Sequence, residues 1–182
     1  MPDITVAPRK YGFHGTIRAP FRLADGLSEQ EVRAAVDALA TRLQPARCDG
    51  LRLDSIEGFL ALTLDGCESE VLALAAAVVE GTDSLRAPLT ASDRLKRHPE
   101  LLSSRQAALF ERWGYPYVME EFQFHMTLTS RLQPVEKEVV AATVRHHFAP
   151  VLPRPFVIED LCLFGEDGEG KFHLLHRAAL SG

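Results

Sequence analysis

The segment Phe124-His125-Met126-Thr127-Leu128 decides how this chain is interpreted, because the same pattern stands near the start as Phe13-His14-Gly15-Thr16-Ile17. Both copies read Phe-His-x-Thr-aliphatic. With 7 histidines in 182 residues, chance predicts roughly 0.3 copies of the His-x-Thr-aliphatic core, so two copies are unexpected. Polar and apolar residues alternate around both, which predicts β-strands over residues 11–18 and 122–130.

Strand geometry brings the polar members of each copy together, since residues two apart point to the same face. His14, Thr16 and Arg18 therefore share one face of the first predicted strand. His125 and Thr127 share a face of the second. The apolar residues between them are expected to face packed helices.

Two imidazoles and two hydroxyls on a shared face suit chemistry on a phosphodiester. One neutral histidine takes a proton from the attacking oxygen, while the other, protonated, gives one to the leaving oxygen. A histidine pKa near ~6.5 makes both states accessible at neutral pH, and the hydroxyls of Thr16 and Thr127 can hold the nonbridging oxygens. A single motif of this kind is more often a packed strand histidine, but two in matched positions favour His14 and His125 as catalytic residues. The sequence leaves open which of them is the base.

Three further residues are candidates for substrate binding. Arg18 shares the face of His14 and can contact a phosphate, although a surface charge at a strand end explains it equally well. Tyr11 and Tyr115 can stack on a sugar or nucleoside ring or hydrogen-bond to it. The glycine and proline residues beside these tyrosines equally suggest aromatic side chains packed in tight turns.

The remaining histidines and the cysteines do not predict a metal site. His146 and His147 are adjacent on a predicted helix and point in different directions. His173 and His176 are an odd number of residues apart on a predicted strand and face opposite sides. The three cysteines are far apart and form no Cys-x-x-Cys pair. We therefore expect no metal and no other cofactor.

Helix and hairpin signals follow the first motif. Ser28 and Glu31 form a capping box at the start of an amphipathic helix over residues 28–43. A hairpin is predicted next, with strands at 51–56 and 59–64 around Glu57-Gly58. A helix over residues 68–80, ended by Gly81, completes the half.

The second motif is followed by elements of the same kinds. Pro134 begins a helix over residues 135–148, and strands at 156–164 and 171–175 form a hairpin. A helix over residues 101–113, ended by Gly114, precedes the motif. Each half thus reads strand, helix, strand, strand.

This element order predicts an α+β fold with mostly antiparallel sheets and helices packed outside. We expect residues 1–182 to form a single bilobal domain. Its first half covers about residues 1–84, a helical connection about 85–114, and its second half about 115–182.

Composition excludes several classes of protein. The chain has a formal net charge of −5, 46% hydrophobic residues and 25% charged residues, which is typical of a globular protein rather than a disordered one. No apolar run approaches the ~20 residues that cross a bilayer, and the start lacks the features of a signal peptide. We expect a cytoplasmic protein without a membrane partner. The negative charge disfavours a long nucleic acid as partner but allows a small phosphorylated ligand.

The paired motifs resemble the signature of the two-histidine phosphoesterase superfamily, which includes RNA ligase-like proteins and 2′,3′-cyclic nucleotide phosphodiesterases. Residues 11–16 leading into 19–23, and residues 112–122 leading into the second motif, are similar to the DUF1045-like branch assigned to phosphonate metabolism. The resemblance covers nearly the whole chain from Pro8 onward. It implies a bilobal fold with pseudo-twofold symmetry, a cleft between the lobes, and metal-independent chemistry.

The resemblance carries over onto His14, Thr16, His125 and Thr127, with two departures. Gly15 stands where the branch usually has alanine. Only 13 residues precede His14, whereas members of the branch have a longer N-terminal region with its own strand. Residues 4–6 are the candidate replacement for that strand.

We therefore expect a metal-independent phosphodiesterase that opens a small cyclic phosphate. The resemblance implies ribosyl 1,2-cyclic phosphate in phosphonate catabolism as a substrate. Two alternatives stay open. One is an RNA 2′,3′-cyclic phosphodiesterase or ligase-like RNA-processing enzyme, and the other is a module that binds a phosphorylated ligand without catalysis.

Overall fold

The computed structural model describes residues 3–182, in which five α-helices accompany seven β-strands. The helices are α1 (Glu29–Ala40), α2 (Ser69–Gly81), α3 (Ala91–Lys96), α4 (Ser104–Trp113) and α5 (Pro134–Phe148). The strands are β1 (Ala46–Cys48), β2 (Gly50–Ile56), β3 (Phe59–Asp65), β4 (His125–Thr127), β5 (Phe156–Ile158), β6 (Asp160–Glu166) and β7 (Phe172–Ala179). Among these described residues, no helix has the length and apolar character needed to cross a membrane.

The strands pair in three sheets, all of them antiparallel. The largest has the order β2-β3-β4, with β3 in the centre. β1 pairs with β5, and β6 pairs with β7. The α+β class and the antiparallel pairing predicted from the sequence are confirmed.

Local sequence signals account for several element boundaries. Ser28 Oγ accepts a hydrogen bond from the Glu31 N–H, and the Glu31 carboxylate accepts one from the Ser28 N–H, so the predicted capping box begins α1. Glu57 and Gly58 both have positive φ, at 45° and 93°, which suits the tight turn of the β2–β3 hairpin. Gly114 has a φ of 79° and ends α4 as predicted.

The predicted strand over residues 11–18 is wrong. A 3-10 turn at Pro8–Lys10 continues into Tyr11, whose N–H bonds to the Pro8 carbonyl. Gly12 then has a φ of 77°, outside the extended region. Of this segment only Gly15 pairs with a strand, through an isolated antiparallel bridge to Met126.

The strand predicted over residues 122–130 is shortened to β4. A 3-10 turn at Met119–Glu121 precedes it. At the other end, Thr129 is buried and its hydroxyl accepts a hydrogen bond from the Leu60 N–H at 3.0 Å. Its side chain therefore supports β3 from within the core.

Residues 4–6, the candidate substitute for a missing strand, do not form one. Asp3–Thr5 is a 3-10 turn. The Ile4 carbonyl nevertheless accepts a hydrogen bond from the Ser130 N–H at 2.6 Å, and the Ala7 N–H donates to Ser130 Oγ at 3.1 Å. The segment is thus attached just beyond β4 without a ladder of strand pairing.

The sequence predicted Gly81 as a left-handed residue just beyond α2. This prediction is wrong, because Gly81 is the last residue of the helix itself. A Cβ atom at Gly81 would lie 2.7 Å from Leu39 Cδ1. The missing side chain therefore serves the close packing of α2 against α1. Thr82 is the C-cap residue of α2, and its hydroxyl donates a hydrogen bond to the Val78 carbonyl at 2.6 Å.

The second predicted hairpin is divided between two sheets. Its first strand breaks at Glu159 into β5 and β6. β5 pairs with β1, a three-residue strand that the pattern did not predict because it is too short to show alternation. β6 pairs with β7, which extends beyond the predicted end to Ala179.

The main hydrophobic core lies beneath the apolar side of the two motifs. Phe124 is 6% exposed and belongs to this core, and Ile17, Met126 and Leu128 pack against it. The predicted apolar face is therefore confirmed at these positions. Phe13 is the exception, since it is 57% exposed.

Replacing Gly15 with alanine tests how closely the first motif packs against the second. A Cβ atom at Gly15 would lie 2.5 Å from Cε2 and Cζ of the Phe124 ring, so the buried ring must move. We expect Gly15→Ala to lower the free energy of unfolding by about 1–3 kcal/mol, measured by urea denaturation. Gly168→Ala is the matched control, because nothing lies within 4 Å of its Cβ position. Equal stability of both variants would contradict the packing described.

Candidate functional site

The bridge between Gly15 and Met126 places the two motifs side by side and antiparallel. In such a pair, residue 14 lies across from Thr127 and residue 16 across from His125. A Cβ atom at Gly15 would meet the side chains of Phe124 and Met126, on the core side. The side chains of His14, Thr16, His125 and Thr127 therefore share the opposite face, away from the core.

An apolar environment surrounds the first imidazole. The Phe164 ring, from β6, stacks on His14 with centroids 4.7 Å apart and planes 23° from parallel. The Tyr11 ring meets it edge-on at 6.0 Å. His14 Nε2 lies 3.2 Å from Thr16 Oγ1, and among the described residues Nδ1 has no partner with hydrogen-bond geometry.

Burial lowers the pKa of His14 below the ordinary histidine value of 6.5, because a charged imidazolium loses hydration there. The Tyr11 backbone acts in the opposite direction and does not outweigh the effect of burial. The neutral imidazole is consequently the main form of His14 at pH 7.

The second imidazole is held by a polar contact. His125 Nδ1 lies 2.9 Å from the Gln123 carbonyl oxygen. A carbonyl only accepts hydrogen bonds, so Nδ1 carries a hydrogen and Nε2 is the nitrogen that can exchange a proton. The Phe59 ring lies 6.0 Å from the imidazole, centroid to centroid.

The two histidines are diagonal neighbours across the Gly15–Met126 bridge, and diagonal neighbours in antiparallel pairs lie roughly 7–8 Å apart, somewhat less between Cβ atoms. The hydroxyls of Thr16 and Thr127 stand on the same face. The arrangement can therefore supply a base, an acid and two hydrogen-bonding hydroxyls to one bound group.

Arg18 is directed to protein groups. Its guanidinium donates to the Val79 carbonyl, lies 3.4 Å from Asp83 Oδ1, and stands over the Phe21 ring at 4.8 Å. The Arg18 side chain is 9% exposed. Strand parity predicted a place beside His14, but the chain bends at residues 17 and 18, so strand alternation does not extend to Arg18.

The two tyrosine candidates lie in different surroundings. Tyr11 contacts His14, as described above. Tyr115 packs edge-on against Tyr117 at 5.6 Å and beneath the Arg97 guanidinium at 4.7 Å. It lines a small pocket together with Arg18. The structure thus brings Tyr11 to the motifs and brings Tyr115 and Arg18 to each other.

Sequence reasoning did not find Phe164, Gln123 or Thr63, although all three touch or adjoin the motif histidines. Phe164 comes from a strand more than 100 residues away, and nothing local indicates its contact with His14. Gln123 acts through its backbone carbonyl, which has no sequence signal. Thr63 lies directly across from His125 in β3, a pairing that the sequence does not specify.

In the part of the chain that the structure describes, no three His, Cys, Asp or Glu side chains are grouped so that they could hold a metal ion.

Comparison with known proteins identifies the family. The model of the family described as "Protein of unknown function (DUF1045)" matches residues 16–173, and the chain belongs to this family. The match contains Thr16 and the entire second motif. It confirms the DUF1045 family indicated by the residues around the motifs.

Two curated relatives carry the same name, "Ribose 1,5-bisphosphate phosphokinase PhnN". The chain is 37% identical to the protein from Janthinobacterium sp. (strain Marseille) over 174 residues, and 39% identical to that from Laribacter hongkongensis (strain HLHK9) over 170 residues. These alignments cover 93% and 92% of the chain. They cover only 38% of each relative, so the chain is similar to one part of longer proteins.

The lowered pKa of His14 predicts how folding stability changes with pH. The unfolded chain binds a proton at His14 more readily than the folded chain, so this residue should destabilise the fold as the pH falls below about 6.5. We expect proton NMR to show His14 titrating below the ordinary histidine value of 6.5. His14→Gln should weaken the loss of stability on acidification between pH 7 and 5. An unchanged pH dependence in that variant would contradict the assignment.

Proposed function

We propose that this protein is a metal-independent phosphodiesterase that opens a small cyclic phosphate by two-histidine acid and base catalysis. The observation that carries the proposal is the Gly15–Met126 bridge, because it juxtaposes the two His-x-Thr motifs on one face. Such a face is what the two-histidine phosphoesterase fold requires. We also propose that the two halves of the chain form two lobes related by a pseudo-twofold axis.

His14 suits the role of general base in this mechanism. Its lowered pKa keeps it neutral at pH 7, and a neutral imidazole can take a proton from an attacking water. The water oxygen then forms a bond to phosphorus. The stacked Phe164 ring supports the role by restricting the hydration of the imidazole.

His125 suits the role of general acid. Its Nδ1–H is bound to the Gln123 carbonyl, which leaves Nε2 as the nitrogen that can donate a proton to the substrate. Nε2–H gives its proton to the leaving sugar oxygen as the bond from that oxygen to phosphorus breaks. The product is a phosphomonoester with a free hydroxyl. Thr16 and Thr127 bind the nonbridging oxygens, with Thr16 exchanging its contact to His14 Nε2 for one to the substrate.

A phosphorylated pentose is the substrate class that we favour. The relatives' name refers to ribose 1,5-bisphosphate, and the matching branch is assigned to phosphonate metabolism. Ribosyl 1,2-cyclic phosphate combines such a pentose with the cyclic diester that the two histidines suit. The net charge of −5 gives less support to the RNA-processing alternative.

The kinase activity in the relatives' name has little support within this segment. Residues 165–171 read Gly-x-x-x-x-Gly-Lys, but Phe172 stands where a P-loop has Ser or Thr. The run forms the turn between β6 and β7, where Asp167 N–H bonds to the Lys171 carbonyl. A P-loop requires a strand that leads into a helix. We infer that the named activity resides in the part of the relatives that this chain does not cover.

Removing either imidazole tests the proposal. His14→Ala and His125→Ala should each lower the turnover of ribose 1,2-cyclic phosphate 5-phosphate by on the order of 10²-fold or more, followed by phosphorus NMR. His146→Ala is the control, since His146 is an exposed residue of α5. An oligonucleotide ending in a 2′,3′-cyclic phosphate serves as the competing substrate, and its preferred hydrolysis would support the RNA-processing alternative. The proposed phosphodiesterase function would be contradicted by full activity in both motif variants. It would also be contradicted if the native protein bound the substrate without converting it.

The proposed roles also predict a bell-shaped pH profile of kcat/KM. The acid limb should lie below pH 6.5, because the rate falls only when the lowered pKa of His14 is reached and the base becomes protonated. The alkaline limb follows loss of the donated proton from the coupled pair. Stopped assays across pH 4–10 measure both limbs. A rate that rises continuously into alkaline pH would contradict this assignment of acid and base.

A further inference from the structure

Two buried side-chain polar atoms in residues 3–182 have no hydrogen-bond partner, namely Nδ1 of His14 and Oγ1 of Thr63. Native proteins pair nearly all such atoms, so each exception calls for a physical reason. His14 already belongs to the site. Thr63 is a residue of β3 with no role in the mechanism described above.

The register of the sheet places Thr63 beside His125. The two residues are directly opposite each other in the β3–β4 pair, and opposed residues point to the same face. The neighbours Leu62 and Leu64 are each 2% exposed and belong to the core on the other face. Because residue 16 lies across from His125 on its other side, threonines flank this imidazole in both directions across the sheet.

The neighbouring polar groups do not satisfy the Thr63 hydroxyl. His125 uses Nδ1 for the Gln123 carbonyl. Arg52, directly opposite Thr63 on β2, has its guanidinium 3.7 Å from Asp54 and 3.9 Å from Asp65. A buried hydroxyl without a partner is unfavourable, and valine has nearly the same shape without that cost. Packing alone therefore gives no reason for threonine at this position.

We propose that Thr63 is a substrate-binding residue whose hydroxyl donates a hydrogen bond to an oxygen on the phosphorus of the bound diester, next to His125. The proposal rests on the function proposed above. Rotation about the Cα–Cβ bond exchanges the hydroxyl with the methyl group, and Thr63 is partly exposed although its Oγ1 is buried. The hydroxyl can thus turn toward a substrate that enters this face.

Thr63→Val provides a test in which stability and activity should move differently. The variant removes an unpaired buried hydroxyl, so the melting temperature should stay the same or rise. The kcat/KM for ribose 1,2-cyclic phosphate 5-phosphate should fall about 10- to 100-fold, since the lost hydrogen bond is to a charged group. Thr63→Ser should restore most of the activity. The pH profile should keep its shape, because Thr63 does not titrate.

Thr82→Val is the matched control. Thr82 is also a buried threonine, but its hydroxyl is satisfied by the Val78 carbonyl at 2.6 Å. This variant should lose stability and keep its activity, which is the reverse of the result expected at Thr63.

Three outcomes would overturn the proposal for Thr63. They are native kcat/KM in Thr63→Val, a lowered melting temperature that accounts for the lost activity, and a displaced pH profile, which would mean that the residue acts through His125. The result is separable from the test of the proposed function. If His14→Ala and His125→Ala are inactive while Thr63→Val is fully active, only the Thr63 proposal fails. If the two histidine variants keep their activity, the proposed phosphodiesterase function is contradicted.

Discussion

The backbone contact between Gly15 and Met126 is the constraint on which the rest of the site depends. It is a single antiparallel bridge, without a continuing ladder on the N-terminal side. The two segments can approach this closely because Gly15 has no side chain that would displace the buried Phe124 ring. The bridge turns two separate sequence motifs into one surface. Without it, each histidine would be an isolated residue on its own segment.

The two imidazoles have the same motif but different surroundings, and the difference arises from what lies next to each of them. Phe164 and Tyr11 enclose His14 in aromatic rings, which disfavours its charged form. A backbone carbonyl accepts from His125 Nδ1. The same His-x-Thr sequence therefore places its imidazole in an apolar environment in one copy and beside a backbone acceptor in the other. The difference between the surroundings of His14 and His125 arises from tertiary contacts, and the motif sequences do not show it.

Local chemistry explains which parts of the fold could be predicted from sequence. The capping box at Ser28, the turn at Glu57-Gly58 and the stop at Gly114 each act within a few residues, and all three were predicted. The β1–β5 pair joins two three-residue strands more than 100 residues apart, and no local pattern records such a pairing. The position of Arg18 was missed for a related reason. Strand parity holds only while the chain remains extended, and the chain leaves that conformation soon after Gly15.

The position of Phe164 against His14 has a consequence for when the site comes into existence. Its components come from the N-terminal segment, from β4 and from β6, and more than 100 residues of chain separate the first of these from the other two. Contacts of such long range form late in folding, since closing the long loops costs entropy before the contacts compensate. On the ribosome, His14 is synthesised well before Phe164, and the contact between them forms only after β6 has emerged. The face that carries the two motifs is thus incomplete in every nascent chain that ends before β6.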